Sequence, residues 1–176
     1  IISIDGVGLT YDYIRYPFSF SLIEKRLRGM IDYIIKNNLK EKVELHFACV
    51  GTLYNIYNYE MLYNLLDDIT FPLHPPWIDL VVQAEAWSGY SGEIHALSWD
   101  NIPIDLLNDA LLSYKEVKHS WYVTFKEYIT NRTQDANPEG MAFAKEHTLL
   151  LDELHERKYS DYLHPKLSKY IDSIKL

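Results

Sequence analysis

A small group of residues carries the types and spacing that chemistry needs. Ser3, Asp5 and Gly6 close one short apolar run, Thr52 and Asn55 follow a second, and Gln83 and Glu85 end a third. Asp5-Gly6 sets a carboxylate beside a residue that admits close backbone approach, an arrangement suited to hydroxyl recognition or to orienting a cation. Ser3 stands among Ile1, Ile2 and Ile4. It reads either as a polar contact at a strand end or as a small buried residue bonded to backbone. Arg15 follows Tyr11-Asp12-Tyr13-Ile14. Folded back over the strand end, its planar fork suits a carboxylate or phosphate; otherwise it is a surface arginine stacked on tyrosine. Gly6-Val7-Gly8 is a weak phosphate-loop signal, because the third glycine of a dinucleotide pattern and the Gly-Lys-Ser/Thr of a P-loop are both missing.

These residues matter only if the intervening segments bring them to one edge. Ile1–Ile4 reads as a short buried strand and Val43–Val50 as a second, alternating one, closed by Gly51-Thr52. Ile78–Ala84 reads as a third. A short turn of helix is expected over Tyr11–Arg15, stopped by Pro17. Phe20, Ile23, Leu27, Met30, Ile31 and Ile34 repeat at helical spacing, with Ser19 or Ser21 as cap and Asn37-Asn38 as stop. Met61, Leu62, Leu65, Leu66 and Ile69 form another helical stripe, and Pro103 suits the first position of a further helix near Asn101. Glu85–Ser98, with Gly89 and Gly92, reads as a long surface loop. The remainder is helical, over roughly 117–131, 139–158 and 165–174. Alternating strands and helices indicate parallel strands joined by crossovers. In such sheets ligands bind at the carboxyl ends of the strands, which is where the residues above fall.

Composition narrows the function. The 176 residues carry 17 Lys+Arg against 25 Asp+Glu, a formal net charge of −8. A duplex nucleic-acid binder needs a basic footprint, so no nucleic-acid partner is expected. No apolar run reaches the roughly 18 residues of a membrane span, and no signal-peptide pattern is present, so no membrane partner is expected either. Cys49 is the single cysteine, which excludes an internal disulfide and any multi-thiolate metal site within this chain. His46 and Cys49 lie three apart on one strand and face opposite sides, so they are not a ligand pair. Fifteen tyrosines suit a half-buried surface with polar edges without naming a ligand. A core strand at Ile1–Ile4 needs neighbours, so the chain is expected to be the C-terminal part of a longer protein, an edge strand of a complete small domain being the alternative.

The run Ile2-Ser3-Ile4-Asp5-Gly6-Val7-Gly8 followed by Tyr11-Asp12-Tyr13-Ile14-Arg15-Tyr16-Pro17 resembles the fourth-strand region of radical S-adenosylmethionine enzymes, in the branch carrying a twitch-type auxiliary cluster domain. Val50–Ile56, Asp79–Gln83 with Ala96-Leu97-Ser98 and Ile102-Pro103, and Leu151–Arg157 with His164–Leu167 resemble later segments of that branch in order. The resemblance implies an α/β fold: residues 1–116 as the C-terminal half of a partial (β/α)6 TIM-like barrel with three βα units, and 117–176 as a helical extension. It implies S-adenosylmethionine and a [4Fe-4S] cluster as cofactors, and hydrogen abstraction by a 5′-deoxyadenosyl radical, on a peptide or protein substrate. By the same resemblance Ser3 and Asp5 lie beside the ribose and methionine part of S-adenosylmethionine, with Gly6 as a further cofactor-binding residue. Arg15 pairs with its carboxylate, and Thr52, Asn55 and Gln83 face adenine or substrate. The CxxxCxxC motif of the family is absent from this chain, so the cluster ligands lie outside it. The implied partners are the missing N-terminal half and an electron donor. An oxygen-labile cluster and a reduced lone thiol imply the cytoplasm. The competing reading is a non-catalytic α/β domain that binds a small ligand or a partner protein. The two are separated by geometry: Ser3, Asp5, Thr52 and Gln83 must converge at one rim of a parallel sheet.

Overall fold

The computed structural model describes residues 1–73, 77–82, 97–115 and 120–176. In chain order the described elements are β1 (Ile2–Ser3), α1 (Gly8–Ile14), α2 (Phe20–Lys36), β2 (His46–Gly51), α3 (Tyr59–Thr70) and β3 (Trp77–Val82). They continue with α4 (Ile104–Ser113), α5 (Ser120–Asn131), α6 (Pro138–His155) and α7 (Pro165–Ser173). Short 3-10 turns lie at Lys40–Lys42, Leu53–Asn55, Trp99–Asn101 and Tyr159–Asp161. Most elements fall within a few residues of the positions that hydropathy predicts.

The strands are parallel in the order β1-β2-β3. β1 pairs through Ile2↔Phe47 and Ser3↔Ala48 alone, whereas β2 and β3 run in register from His46↔Trp77 to Gly51↔Val82. The sheet is in effect one ladder with a two-residue edge, in a chain that is mostly helix. This corrects the expectation of half a (β/α)6 barrel: the described residues form a small open sheet inside a helical fold. The brevity of β1 has a local cause. Beyond the bond from Ile4 N to Ala48 O, side chains replace the backbone ladder: Val50 N donates to Asp5 Oδ1, and Asn55 Nδ2 takes up the carbonyls of Asp5 and Val50.

Burial alternates along β2. Phe47, Cys49 and Gly51 are buried, while His46, Ala48, Val50 and, just beyond, Thr52 are half-buried. The register puts Ser3 beside Ala48, on the less buried face. The other face rests on a core that includes Ile4, Phe47, Ile56, Leu66, Trp99, Leu107 and Phe125. Trp99 packs edge-on to Phe125 and Tyr128 at centroid distances of 4.8 and 5.1 Å. Its indole sits against the end of β2, where a Cβ on Gly51 would overlap the ring, so glycine is required there.

The helices have local causes as well. In α2, Phe20, Leu27, Ile31 and Ile34 line one buried stripe. α6 starts at Asn137, whose side chain accepts from Glu139 N, with Pro138 in the first turn, and stops at left-handed Glu156. Tyrosines fasten the late helices to the early ones. Tyr13 OH donates to Asp152 Oδ1 at 3.0 Å, and Tyr54 OH shares a hydrogen bond of 2.9 Å with Thr148 Oγ1. Tyr13 and Tyr54 thus serve as long-range struts, each with a buried ring and a hydroxyl given a partner.

Candidate functional site

Asp5 follows β1 and is 4% exposed. Its Oδ1 accepts from Val50 N at 3.0 Å, and its Oδ2 accepts from Arg15 Nε at 2.7 Å and also from Arg15 Nη2. Both carboxylate oxygens are therefore engaged. Arg15, at the end of α1, reaches back ten residues to make this pair, and its Nη2 also donates to Ser3 Oγ at 3.1 Å. The guanidinium side chain remains 42% exposed, and Nη1 makes no hydrogen bond among the described residues. Of the two fates open to Arg15 in the sequence, the structure takes the fold-back over the strand end. The arginine–tyrosine stack is made instead by Arg157, whose guanidinium carbon lies 4.5 Å from the Tyr16 ring centre and 4.9 Å from that of Tyr162. Ser3 is exposed, not a small buried residue.

The end of β2 supplies the other half of the rim. Asn55 closes the 3-10 turn Leu53–Asn55 and is fully buried. Its Nδ2 donates to Asp5 O at 2.9 Å and Val50 O at 2.7 Å, and its Oδ1 accepts from Thr52 N at 2.9 Å and Tyr59 OH at 2.8 Å. No polar atom of Asn55 is left for a ligand, so it clamps the rim from behind. Thr52 has the reverse character. Its N–H is used by Asn55, while its Oγ1 is buried and without a hydrogen-bond partner among the described residues. Thr52 and Asn55 face each other as a capping box, with the Thr52 side chain toward Asn55 N and the Asn55 side chain accepting from Thr52 N. Gln83, together with Glu85 and most of the loop Glu85–Ser98, lies outside the described residues.

Gly6 has φ +156°, and a Cβ there would meet Asn58 Oδ1 at 2.9 Å. The close approach that Asp5-Gly6 promised is thus made by Asn58, whose Oδ1 also accepts from Val7 N at 2.6 Å. Asn58 and Tyr59 are the rim residues that sequence reasoning passed over. The available signal was the spacing Asn55-x-x-Asn58 directly after a strand end, where short amides habitually satisfy turn backbone.

Beside the rim lies a groove of about 320 Å³ whose lining includes Val7, Gly8, Leu9, Tyr57, Met61 and His164. One wall is rigid: Tyr57 and His164 stack at 4.2 Å, and Tyr57 OH donates to Asp109 Oδ2 at 2.7 Å. Lys166 Nζ binds both oxygens of Asp109, at 2.7 and 2.8 Å. These bonds, the Lys166 one first, hold the Asp109 carboxyl below the usual carboxylate range. Burial, with Lys166 adding to it, pushes the His164 imidazole down.

Two implied cofactors can be weighed against these residues. A [4Fe-4S] cluster does not fit. The one thiol, Cys49, is 1% exposed beneath β2, with Asn55 Nδ2 3.8 Å from its sulfur, and burial pushes its pKa well up. No group of three His, Cys, Asp or Glu suited to a metal ion occurs among the described residues. S-adenosylmethionine fits in part. An oriented guanidinium with its Nη1 free and an exposed serine hydroxyl share one rim, while the Thr52 hydroxyl beside them is buried. No helix among the described residues is long and apolar enough to cross a membrane. No family model, no curated protein and no solved structure matches this chain.

Proposed function

We propose that this chain binds S-adenosylmethionine at the carboxyl rim of its parallel sheet, as one part of a radical S-adenosylmethionine enzyme. The observation that carries the reading is the Ser3–Arg15–Asp5 chain, which leaves Arg15 Nη1 without a partner among the described residues. Arg15 receives the methionine carboxylate on Nη1, which carries the two N–H donors that Asp5 and Ser3 leave free. Asp5 fixes the guanidinium from the opposite side, so the fork is oriented before the ligand arrives. Ser3 accepts from Nη2 and keeps its own O–H to donate to the ligand. Thr52, half-buried at the end of β2, lies on the side of the adenosyl part.

Radical chemistry would need a [4Fe-4S] cluster and a one-electron donor, which would cleave S-adenosylmethionine to methionine and a hydrogen-abstracting 5′-deoxyadenosyl radical. The cysteines for that cluster lie outside this chain, because Cys49 is unsuited to the task. The reading therefore includes a further segment of the same protein, an electron donor, a peptide or protein substrate and a cytoplasmic setting.

The test is calorimetric titration with S-adenosylmethionine and with 5′-methylthioadenosine, which keeps the adenosyl part and lacks the carboxylate. The reading predicts saturable binding of the first and at least tenfold weaker binding of the second. Equal affinities would remove Arg15 from the site. No binding of either would leave the alternative, a domain for a different ligand or a protein partner.

A further inference from the structure

We propose that Asn55 is the positioning residue of the rim, holding the Asp5–Arg15 pair so that the free Nη1 of the guanidinium faces outward. As a statement about ligand affinity this rests on the reading above; as a statement about Arg15 it stands on geometry alone.

Asn55 bonds almost only to the rim. Of its four hydrogen bonds one reaches the end of β1 (Asp5 O), one β2 (Val50 O), one the turn after β2 (Thr52 N) and one α3 (Tyr59 OH). The contact with Asp5 spans fifty residues of sequence. Val50 is the second point of coupling, since its carbonyl accepts from Asn55 while its N–H donates to Asp5 Oδ1. The Asp5 carboxylate that orients Arg15 is therefore fixed twice, by its own backbone through Asn55 and by its side chain through a strand that Asn55 also holds. A primary amide is the one neutral side chain that presents two N–H donors and a carbonyl acceptor from a single rigid plane. Tyr59 OH completes the acceptor side and locks the rotamer. Asn55 touches no ligand in this arrangement; it acts through Asp5.

The test uses the full chain and reads Arg15 directly, as the exchange rate and chemical shift of its Nε–H by NMR. Three variants are compared with the parent: Asn55→Ala, Tyr59→Phe and the remote core control Leu167→Ala. Asn55→Ala is expected to speed Nε–H exchange at least tenfold. Tyr59→Phe, which loosens the Asn55 rotamer and leaves its contacts to β1 and β2 in place, gives about threefold. Leu167→Ala lowers the melting temperature and leaves the Arg15 signal unchanged. If Asn55→Ala does not fold, Tyr59→Phe decides the matter: an unchanged Arg15 signal overturns the proposal. It is equally overturned if Leu167→Ala shifts Arg15 as much as the Asn55 and Tyr59 variants do. Titration with S-adenosylmethionine forms a separate arm. Failure of the parent to bind it refutes the functional reading and leaves the Arg15 result standing, while binding that Tyr59→Phe and Asn55→Ala weaken in proportion to Arg15 exchange supports both.

Discussion

Replacing Asp5 with asparagine tests the rim at its most buried charge. The substitution keeps the shape and removes the charge. Three donors point at the Asp5 carboxylate: Val50 N on Oδ1, and Arg15 Nε and Nη2 on Oδ2. An amide has one acceptor oxygen, so its NH2 group must face Val50 N–H or the guanidinium, donor against donor. At least one charge-assisted hydrogen bond is lost, worth about 1.5–3 kcal/mol, and one donor in a largely buried setting is left unpaired at about 1–3 kcal/mol. Arg15 is partly exposed and can recover water, which favours the lower end of both ranges. We therefore expect Asp5→Asn to cost about 3 kcal/mol. That is a large fraction of the roughly 5–15 kcal/mol typical of a domain. Urea denaturation of Asp5→Asn, Arg15→Met and the double variant measures it. Because both singles break the same contact, the double should cost about 1–2 kcal/mol less than their sum. A single-variant cost under about 0.5 kcal/mol, or strict additivity, would show that Asp5 and Arg15 do not interact in solution.

Two further outcomes follow from the packing and the titratable wall. Gly51→Ala drives a methyl into an indole held by Phe125 and Tyr128, and should cost about 3 kcal/mol by thermal melting, the top of the overpacking range. Gly29→Ala, in the exposed middle of α2 with nothing near its Cβ, should instead stabilise by about 0.5–1 kcal/mol; equal effects of the two would contradict the packing at β2. His164 is held below its ordinary value of 6.5, so the unfolded chain takes up the proton more readily. Its contribution to stability is complete above pH 6.5 and declines as pH falls through the folded value, where protonated Nδ1 can no longer accept from Lys166 N. His164→Asn, which keeps an N-cap acceptor, should flatten the melting temperature between pH 7.5 and 5.5, and an unchanged slope would assign that pH dependence to another group.

The elements were legible because their patterns are local. The α2 stripe from Phe20 to Ile34, the alternation of Phe47 and Cys49 and the start of α4 beside Pro103 need only neighbours in sequence to be seen. Of the residues chosen at strand ends, Ser3, Asp5, Thr52 and Asn55 lie at the ends of β1 and β2, Arg15 folds back onto Asp5, and Gln83 and Glu85 lie outside the described residues. What the spacing left open was which of them face inward. Asn55 and Thr52 look alike as polar residues three apart, yet the Asn55 amide is consumed by four bonds, three of them to residues within five positions and one to a residue fifty away. The barrel expectation failed for a related reason. Strand–helix alternation reports order, whereas sheet extent depends on whether the ladder continues, and here Asp5 and Asn55 side chains end it after two residue pairs. The role of Tyr13 and Tyr54 was invisible because their partners, Asp152 and Thr148, lie over ninety residues away.

The most direct test of the account is calorimetric titration of S-adenosylmethionine into the parent chain and into Arg15→Gln. The account predicts saturable binding to the parent and a loss of roughly 10- to 100-fold in Arg15→Gln, the value of a charge-assisted contact to the ligand carboxylate. Saturable binding of equal strength to both proteins, or no binding to the parent, would contradict it.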